Sequence, residues 1–296
     1  MVLCRAVALL AWLAAAAGLG AVAQAATPET VYLPSADGQT ELVGYLFVPP
    51  HASGGGARHP AVVLLHGRAG PYSSRVNAGC TMVARGTASP CGAGSLTQRH
   101  MSWAAFWSER GYVTLLVDSF GPRGRGHGFG RGTHDDPERE AVNEKTVRPL
   151  DAEGGLAWLA ARPDVDPQRI LLQGWSNGGS TVLNTLQRQA TGRHAGPRIA
   201  AALAFYPGCG PQALLARKLT LDAPLLLLLA SEDEEVSPKI CQDVAARTPG
   251  NPRVIVYEGA THDFDDPGKS RQSVAGNRRA RDDAFSQAAA AFGTTR

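Results

Sequence analysis

The chain has 296 residues, of which 44% are apolar and 19% are charged, and its net charge is +3. This length and composition suit a globular protein with one large α/β domain or two small ones. Acidic and basic residues are interspersed, so the sequence lacks the concentrated basic face that nucleic-acid binding requires.

The first 25 residues differ from the rest of the chain. Arg5 is their only charged residue, an apolar run covers Ala6–Ala17, and small residues lead to Ala23-Gln24-Ala25. A charged start, an apolar stretch and an A-x-A site are typical of a secretory signal peptide. We therefore predict a signal peptide at 1–25 and a single domain at 26–296, in a periplasmic or secreted protein. An uncleaved membrane anchor is the alternative.

Seven short apolar runs in the remaining chain predict β-strands. The middle runs are continuously apolar, as expected of parallel strands covered on both faces. Segments with helical spacing lie between them, so the predicted fold class is α/β with a mostly parallel central sheet flanked by helices. The predicted strands are Leu42–Val48, Ala61–Leu65, Tyr112–Val117, Ile170–Gln173, Ala200–Tyr206, Leu225–Leu229 and Val254–Tyr257. The predicted helices are a segment around Trp103 and Trp107, then Leu150–Ala161, Gly179–Gln189, Val236–Arg247 and Ala280–Phe292.

The stretch Gly121–Asp136, GPRGRGHGFGRGTHDD, is rich in glycine and arginine and follows a predicted strand. It contains a G-x-G-x-x-G spacing that could indicate dinucleotide binding. It opens no apolar helix, however, and lies far from the first strand, so we predict no cofactor.

Four cysteines remain once Cys4 is assigned to the signal peptide. In an oxidising compartment an even number indicates two disulfides, for which three pairings are possible. We favour Cys80–Cys91, which would close a short loop, with Cys209–Cys241, which would join two segments that each follow a predicted strand. Zinc binding is a weaker hypothesis, because no C-x-x-C or H-x-x-x-H spacing occurs. We therefore expect no metal.

The stretch GWSNGGS, Gly174–Ser180, places Ser176 between a predicted strand and a predicted helix. G-x-S-x-G in this context is the pattern of a nucleophile held on a sharp turn. The turn forces a strained backbone at the serine, and the glycines let strand and helix approach each other. A loop of small residues without catalytic meaning is the alternative.

A serine nucleophile needs a base and an orienting acid, which follow it in the chain order Ser, Asp/Glu, His. The segment LLLLLASEDEEVSP offers Asp233, Glu234 and Glu235 after an apolar strand. The segment VIVYEGATHDFDDP offers His262 after the last strand. The other histidines lie too early in the chain, in the Gly/Arg-rich stretch or in an exposed segment, so His262 is the predicted base.

The strand Ala61–Leu65 runs into HGRAG, residues 66–70, whose glycines would let the chain turn toward the serine. We expect an oxyanion hole formed by the backbone N–H of Asn177 and by that of Arg68 or a neighbouring residue. His66 is predicted to be a structural residue that supports this loop.

Aromatic residues close to the predicted active-site edge are candidates for the walls of a substrate pocket. For the two helical tryptophans a place in the core is at least as good an interpretation. Arg123 and Arg125 could hold an anionic substrate or be solvated loop charges. The candidate walls are Tyr72, Phe120, Trp175, Trp103 and Trp107.

The motifs HPAVVLLHGRAG, GYVTLLVDSFGPRG, DVDPQRILLQGWSNGG, AFYPGCG, LLASEDEEVSP and YEGATHDF occur in this order. Over about residues 40–292 the set resembles the dienelactone hydrolase family of the α/β-hydrolase superfamily. The resemblance implies a sheet of about eight strands and a catalytic triad of Ser176, Asp233 and His262. It also supports Cys209–Cys241, because exported relatives carry a similar cysteine pair.

The chain departs from this family pattern in two places. The namesake enzymes use a cysteine nucleophile where Ser176 stands, so dienelactone itself is not the substrate we expect. The proline after the acid stands one residue late, which leaves Glu234 as the alternative acid to Asp233.

These observations predict an exported serine hydrolase that cleaves a small-molecule carboxylic ester through an acyl-enzyme. We expect no nucleic-acid partner and, after signal cleavage, no stable membrane association; the sequence does not predict the oligomeric state. A serine peptidase on the same fold and a non-catalytic binding protein that keeps the fold are the alternatives.

Overall fold

A computed structural model describes residues 27–50, 58–133, 135–194, 196–250 and 252–293. The predicted signal peptide lies outside the described residues. In the described part, none of the helices has both the length and the apolar character needed to cross a membrane.

Within these residues, eight β-strands form one sheet and α-helices pack around it. The strands are β1 (Glu29–Pro34), β2 (Glu41–Phe47), β3 (His59–Leu65), β4 (Val113–Asp118), β5 (Val165–Trp175), β6 (Ile199–Phe205), β7 (Leu225–Ala230) and β8 (Arg253–Tyr257). The helices are α1 (Gln98–Ser108), α2 (Pro137–Glu140), α3 (Arg148–Ala160), α4 (Asn177–Ala190), α5 (Pro238–Arg247), α6 (Lys269–Gln272) and α7 (Ala275–Phe292).

The strand order in the sheet is β1-β2-β4-β3-β5-β6-β7-β8. The strands β1, β2 and β4 pair antiparallel, and every other neighbouring pair is parallel. The predicted α/β class with a mostly parallel sheet is therefore confirmed. Because the parallel strands all end at the same edge, the loops that follow β3, β5, β7 and β8 gather there.

Both faces of the sheet are covered, which explains why the central strands are continuously apolar. In β3, Val63 and Leu65 belong to a core with α3, α4 and α5, whereas Val62 and Leu64 belong to a second core with α1 and α7. Successive side chains of a strand point to opposite faces, so a strand between two helix layers needs apolar residues at every position.

The sequence pattern missed one strand and shortened another. The edge strand β1 buries only Val31 and Leu33 and ends at Pro34, so it offers a short alternating signal. The strand β5 begins at Val165, five residues before the predicted start, because its first half is polar and half-exposed but still follows the neighbouring strand.

The structure pairs the cysteines as the sequence analysis favoured. Cys80 and Cys91 are bonded, with 5.7 Å between their Cα atoms, within the long connection from β3 to α1. Cys209 and Cys241 are bonded, with 5.1 Å between their Cα atoms, and join the segment after β6 to α5.

The turn between β5 and α4 holds Ser176 in a backbone conformation that L-residues rarely adopt, with φ 51° and ψ −116°. Its N–H donates to the carbonyl oxygen of Phe205 at 2.9 Å. A Cβ atom at Gly178 would lie 2.2 Å from the carbonyl oxygen of Leu65, and one at Gly174 would lie 2.3 Å from that of Gly178. The predicted strain at Ser176 is present. Gly174 and Gly178 allow the close backbone contacts that keep Ser176 in this conformation.

Replacing Gly178 by alanine is expected to lower the free energy of unfolding by at least about 2 kcal/mol, because the clash is with backbone atoms rather than a movable side chain. Urea titration followed by circular dichroism measures this. Gly94→Ala is the matched control, since an added Cβ there meets no atom within 4 Å. Equal stability of the two variants would contradict the interpretation of the turn.

Candidate active site

Three side chains from three loops meet at the carboxyl edge of the sheet. His262 Nε2 lies 3.0 Å from Ser176 Oγ, and His262 Nδ1 lies 2.8 Å from Asp233 Oδ2. Because an ionised carboxylate only accepts hydrogen bonds, Nδ1 carries the proton and Nε2 is free to accept from the serine hydroxyl. The arrangement is that of a nucleophile, a general base and an orienting acid.

The three acidic residues after β7 occupy different positions around His262. Asp233 contacts the ring and also accepts the N–H groups of Glu235 and Val236 at 2.9 Å, which fixes its carboxylate. Glu234 accepts the backbone N–H of His262 at 2.9 Å and does not contact the ring nitrogen. Glu235 places a carboxylate oxygen 3.7 Å from Nε2, on the side of the ring that Ser176 faces. The geometry therefore favours Asp233 over Glu234 as the acid.

The charges around the ring determine its protonation. Burial lowers the pKa of His262, but the hydrogen bond to Asp233 and the charges of Asp263 and Glu235 outweigh it and raise the pKa above the ordinary histidine value. Burial raises the pKa of Asp263, but the charge of Arg99 leads the effects that lower it to about 2. Asp263 is thus ionised at neutral pH and contributes to the field at the ring.

The loop that carries His262 is anchored by Asp265, which is fully buried. Its Oδ2 accepts the indole N–H groups of Trp103 at 2.8 Å and Trp175 at 2.7 Å, and its Oδ1 accepts the hydroxyl of Tyr206. Burial raises the pKa of Asp265, and the hydrogen bonds and the charge of Arg99 oppose this. Asp265 was not among the predicted site residues, because its three partners lie 59 to 162 residues away in the chain and no local pattern indicates them.

The predicted oxyanion donors lie next to Ser176. A Cβ atom at Gly67 would lie 3.7 Å from Ser176 Cβ, so the loop that includes Arg68 passes against the serine. Asn177 is the first residue of α4, where backbone N–H groups lack an intrahelical acceptor. Within the described part of the chain, neither Arg68 nor Asn177 donates its backbone N–H to a protein acceptor. Both groups are therefore available to a ligand.

His66 and Arg148 hold this loop against α4. The N–H of Ser119 donates to His66 Nε2 at 3.2 Å, so Nδ1 carries the proton and donates to the Gly67 carbonyl oxygen at 2.8 Å. Burial lowers the pKa of His66 well below its usual value, which keeps the ring neutral. His66 is a structural residue, as predicted.

Arg148 at the start of α3 is fully buried and was missed by the sequence analysis. It donates to the His66 carbonyl oxygen at 2.8 Å and to the side-chain oxygen of Asn177. Burial lowers its pKa to about 10, so it remains charged at neutral pH. An arginine in the first turn of a helix opposes the helix dipole, and that unfavourable placement is the sequence signal of a special role.

The structure corrects the predicted substrate-binding residues. Trp175 and Tyr72 are buried, bonded to Asp265 and Asp118 respectively, and Phe120 packs against His66 beneath the loop. Arg123 forms hydrogen bonds with both carboxylate oxygens of Asp151, at 2.8 and 2.9 Å, and with Asp37 at 3.2 Å. These residues form hydrogen bonds or contacts inside the protein and do not line the cavity at the serine.

The two helical tryptophans, Trp103 and Trp107, are core residues, which was the alternative interpretation. Arg125 forms an ion pair with Glu138.

A cavity of about 140 Å³ opens beside Ser176. Its walls come mainly from the loops after β3, β6 and β7, from the end of the Gly/Arg-rich stretch and from the segment around α2 that follows it. Arg139 and Glu144 in that segment were not among the predicted site residues. The lining residues are Arg68, Arg131, Gly132, Arg139, Glu144, Ser176, Asn177, Ser180, Gly208, Ala213, Glu234, Glu235 and Val236.

Glu235, His262 and Asp263 offer ligand atoms within 4.8 Å of one another, a spacing that could hold a metal ion. Both carboxylates already bind arginines, however. Arg68 contacts Glu235 at 2.9 Å and Arg99 contacts Asp263 at 2.8 Å. Because each negative charge already has a cationic partner, the cluster fits an ion-pair network better than a metal centre.

The dienelactone hydrolase family model matches residues 98–295, about two thirds of the chain. The match begins after the loop that includes Arg68, later than the sequence motifs indicated. It includes the segments that carry Ser176, Asp233 and His262.

Solved structures share the fold at low sequence identity. Esterase 2 of Thermogutta terrifontis with bound propionate is 16% identical with a TM-score of 0.59, over 91% of this chain and 96% of that one. A Klebsiella pneumoniae protein assigned as a dienelactone hydrolase is 16% identical with a TM-score of 0.60, over 90% of this chain and 100% of that one. A puromycin-hydrolyzing peptidase of Mycobacterium tuberculosis is 18% identical with a TM-score of 0.59, over 90% of this chain and 40% of that one.

Glu235→Gln is expected to lower the pKa of His262, because it removes a negative charge 3.7 Å from Nε2 that favours the protonated ring. An NMR titration of the His262 ring, assigned through its loss in His262→Asn, measures the shift. Glu232→Gln removes the same charge from an exposed side chain of the same loop and should leave the pKa unchanged. An unchanged pKa in Glu235→Gln would contradict the role given to this carboxylate.

Proposed function

The chain belongs to the dienelactone hydrolase family, and from this premise we propose that it is a serine hydrolase that cleaves carboxylic esters. The observation that carries the proposal is the hydrogen-bonded series from Ser176 Oγ through His262 to Asp233, with contacts of 3.0 and 2.8 Å. A serine hydroxyl is a weak nucleophile until a base accepts its proton, and this series supplies that base together with the acid that orients it.

In the proposed acylation step, Ser176 Oγ attacks the ester carbonyl carbon while His262 Nε2 takes the hydroxyl proton. Asp233 holds the ring in the tautomer that leaves Nε2 unprotonated, and it stabilises the imidazolium that forms. The negative charge that develops on the carbonyl oxygen is stabilised by the backbone N–H groups of Arg68 and Asn177. The imidazolium then protonates the leaving alkoxide, and the acyl group stays on the serine.

Deacylation repeats these roles with water as the nucleophile. His262 takes a proton from water as its oxygen attacks the acyl carbon, and then returns a proton to Ser176 Oγ as the carboxylic acid leaves. The raised pKa of His262 suits a base that must become protonated in each transition state. The proposed reaction uses only these side chains, two backbone donors and water, so no cofactor enters it.

We also propose that the protein acts in the periplasm or is secreted, as one domain over residues 26–296. Two disulfides support an oxidising compartment, since such bonds are rare in reducing ones. The continuity of one eight-stranded sheet across the described residues supports the single domain. The pattern of residues 1–25 supports export through cleavage after Ala25.

A peptidase would use the same three side chains, so the triad alone does not distinguish the two activities. The Mycobacterium tuberculosis peptidase shares the fold, but this chain spans less than half of that protein. Parallel assays with short p-nitrophenyl esters and with peptide p-nitroanilides separate an esterase from a peptidase. A folded protein that is inactive in both assays would favour the non-catalytic alternative.

Ser176→Ala is expected to reduce kcat/KM for p-nitrophenyl acetate by at least about a thousand-fold, because it removes the nucleophile. Ser270→Ala, at an exposed serine that does not line the cavity beside Ser176, is the matched control and should retain wild-type kinetics. Circular dichroism verifies folding of both variants. Ester hydrolysis that persists in folded Ser176→Ala would refute the assignment.

Asp233→Asn is expected to lower kcat by about ten-thousand-fold, since the amide no longer favours the required tautomer of His262. Glu234→Gln should cost less than about ten-fold, because Glu234 contacts the backbone N–H of His262 and not the ring. Steady-state kinetics of the two variants compare them directly. A larger loss in Glu234→Gln would make Glu234 the acid.

A further inference from the structure

The cavity beside Ser176 is walled by charges rather than by apolar side chains. Positive and negative groups are equal in number, so the wall is neutral as a whole. Only Ala213 and Val236 contribute apolar side chains larger than glycine. Such a wall does not suit an aliphatic chain, which would bury ions without replacing their water. The charged lining residues are Arg68, Arg131, Arg139, Glu144, Glu234 and Glu235.

Most of these charges have close partners. Arg68 and Arg131 contact Glu235 with three distances between 2.8 and 3.0 Å. Glu234 is 2.8 Å from Arg271. These carboxylates therefore have little capacity left for a ligand.

The pair formed by Arg139 and Glu144 is different. Both residues are more than nine-tenths buried, yet their closest contact, from Nη2 to Oε1, is 3.5 Å. Within the described residues, the Arg139 guanidinium has one other side-chain contact, from Nη1 to Thr133 Oγ1 at 3.3 Å. The Glu144 carboxylate accepts no other hydrogen bond there.

A buried ion pair is stable only when good geometry and further hydrogen bonds compensate its lost hydration. A guanidinium has five N–H donors and a carboxylate about four acceptor sites, and in this pair most of them have no partner among the described residues. The pair borders the cavity that Ser176 also borders. The pair also borders a second pocket, which it forms with Asp136, Asn143 and Gln212. Of these two pockets the first alone borders Ser176, so a substrate bound at the serine meets Arg139 and Glu144 from that side.

Only some chemical groups suit a cation and an anion side by side. A carboxylate would be repelled by Glu144, an ammonium would be repelled by Arg139, and an alkyl group would satisfy neither. A hydroxyl group accepts from the guanidinium and donates to the carboxylate at once. We propose that the ester cleaved at Ser176 is uncharged and carries a hydroxyl group that binds between Arg139 and Glu144.

This inference rests on the proposed function and names the substrate class of the same site. The hydroxyl can belong to the acyl part, as in an ester of a hydroxy acid, or to the alcohol part, as in an ester of a polyol. The test therefore has an arm for each source, and each arm compares a hydroxylated ester with the ester in which a methyl group replaces that hydroxyl.

In the acyl arm, kcat/KM is measured for methyl 3-hydroxybutyrate and for methyl 3-methylbutyrate, in which a methyl group replaces the hydroxyl. A third ester, monomethyl succinate, carries a carboxylate and tests for a charged substrate. In the alcohol arm, 2-hydroxyethyl butyrate is compared with propyl butyrate. The wild-type protein is expected to prefer the hydroxylated ester by roughly ten-fold to a hundred-fold in at least one arm, because hydrogen bonds to charged groups discriminate by that amount.

Arg139→Met and Glu144→Gln should each reduce this preference to less than about three-fold. Arg125→Met and Glu138→Gln are matched controls, since that pair lies outside the cavity wall, and both should keep the wild-type ratio. The comparison of esters with the wild-type protein needs no variant, and Glu144→Gln preserves the shape of the side chain. The test therefore remains valid even if Arg139→Met does not fold.

Equal rates for the hydroxylated and methylated esters in both arms, or a preference for monomethyl succinate, would overturn the inference. If the wild type hydrolyses the hydroxylated and methylated esters at equal rates and Ser176→Ala hydrolyses neither, the proposed function stands while this inference fails. If none of the esters is hydrolysed by the folded wild-type protein, the proposed function itself fails.

Discussion

The close approach of the first turn of α4 to the end of β3 is the constraint on which the rest of the site depends. It requires Gly178, whose Cα passes against the carbonyl oxygen of Leu65, and it leaves Ser176 in a strained conformation at the edge of the sheet. Because the two backbones are in contact, the loop that includes Arg68 and the turn that carries Ser176 are held together. The buried guanidinium of Arg148 then ties that loop to Asn177 through hydrogen bonds to both.

The residues around this turn include buried charges of both signs, which form ion pairs with one another. His262 lies among the carboxylates of Asp233, Asp263 and Glu235, which stabilise its protonated form. Arg99 in α1 lowers the pKa of Asp263, and Arg68 in the loop after β3 lowers the pKa of Glu235. The field therefore favours a base that readily gains a proton, which is what proton transfer from a hydroxyl demands. The charges of the cavity wall are also paired, and in our proposal the pair of Arg139 and Glu144 binds the ligand.

Whether the role of a residue could be predicted from the sequence depends on how far away its partners lie in the chain. Ser176 and His262 could be identified from the sequence because each follows a strand, and parallel strands end at the same edge of the sheet. The roles of Tyr72, Trp175 and Arg123 could not be predicted, since their carboxylate partners lie 28 to 90 residues away and only the fold brings them together. Local pattern thus predicts which loops meet, whereas the pairing of buried polar groups depends on tertiary packing.

Covalent labelling can show whether Ser176 is an activated nucleophile. The purified mature protein is treated with a fluorophosphonate, which reacts with activated serines, and the adduct is located by peptide mass mapping. We predict a single adduct on Ser176 that forms in the folded protein and is absent when the protein is denatured before labelling. A folded protein that forms no adduct, or that is labelled at another serine, would contradict this prediction.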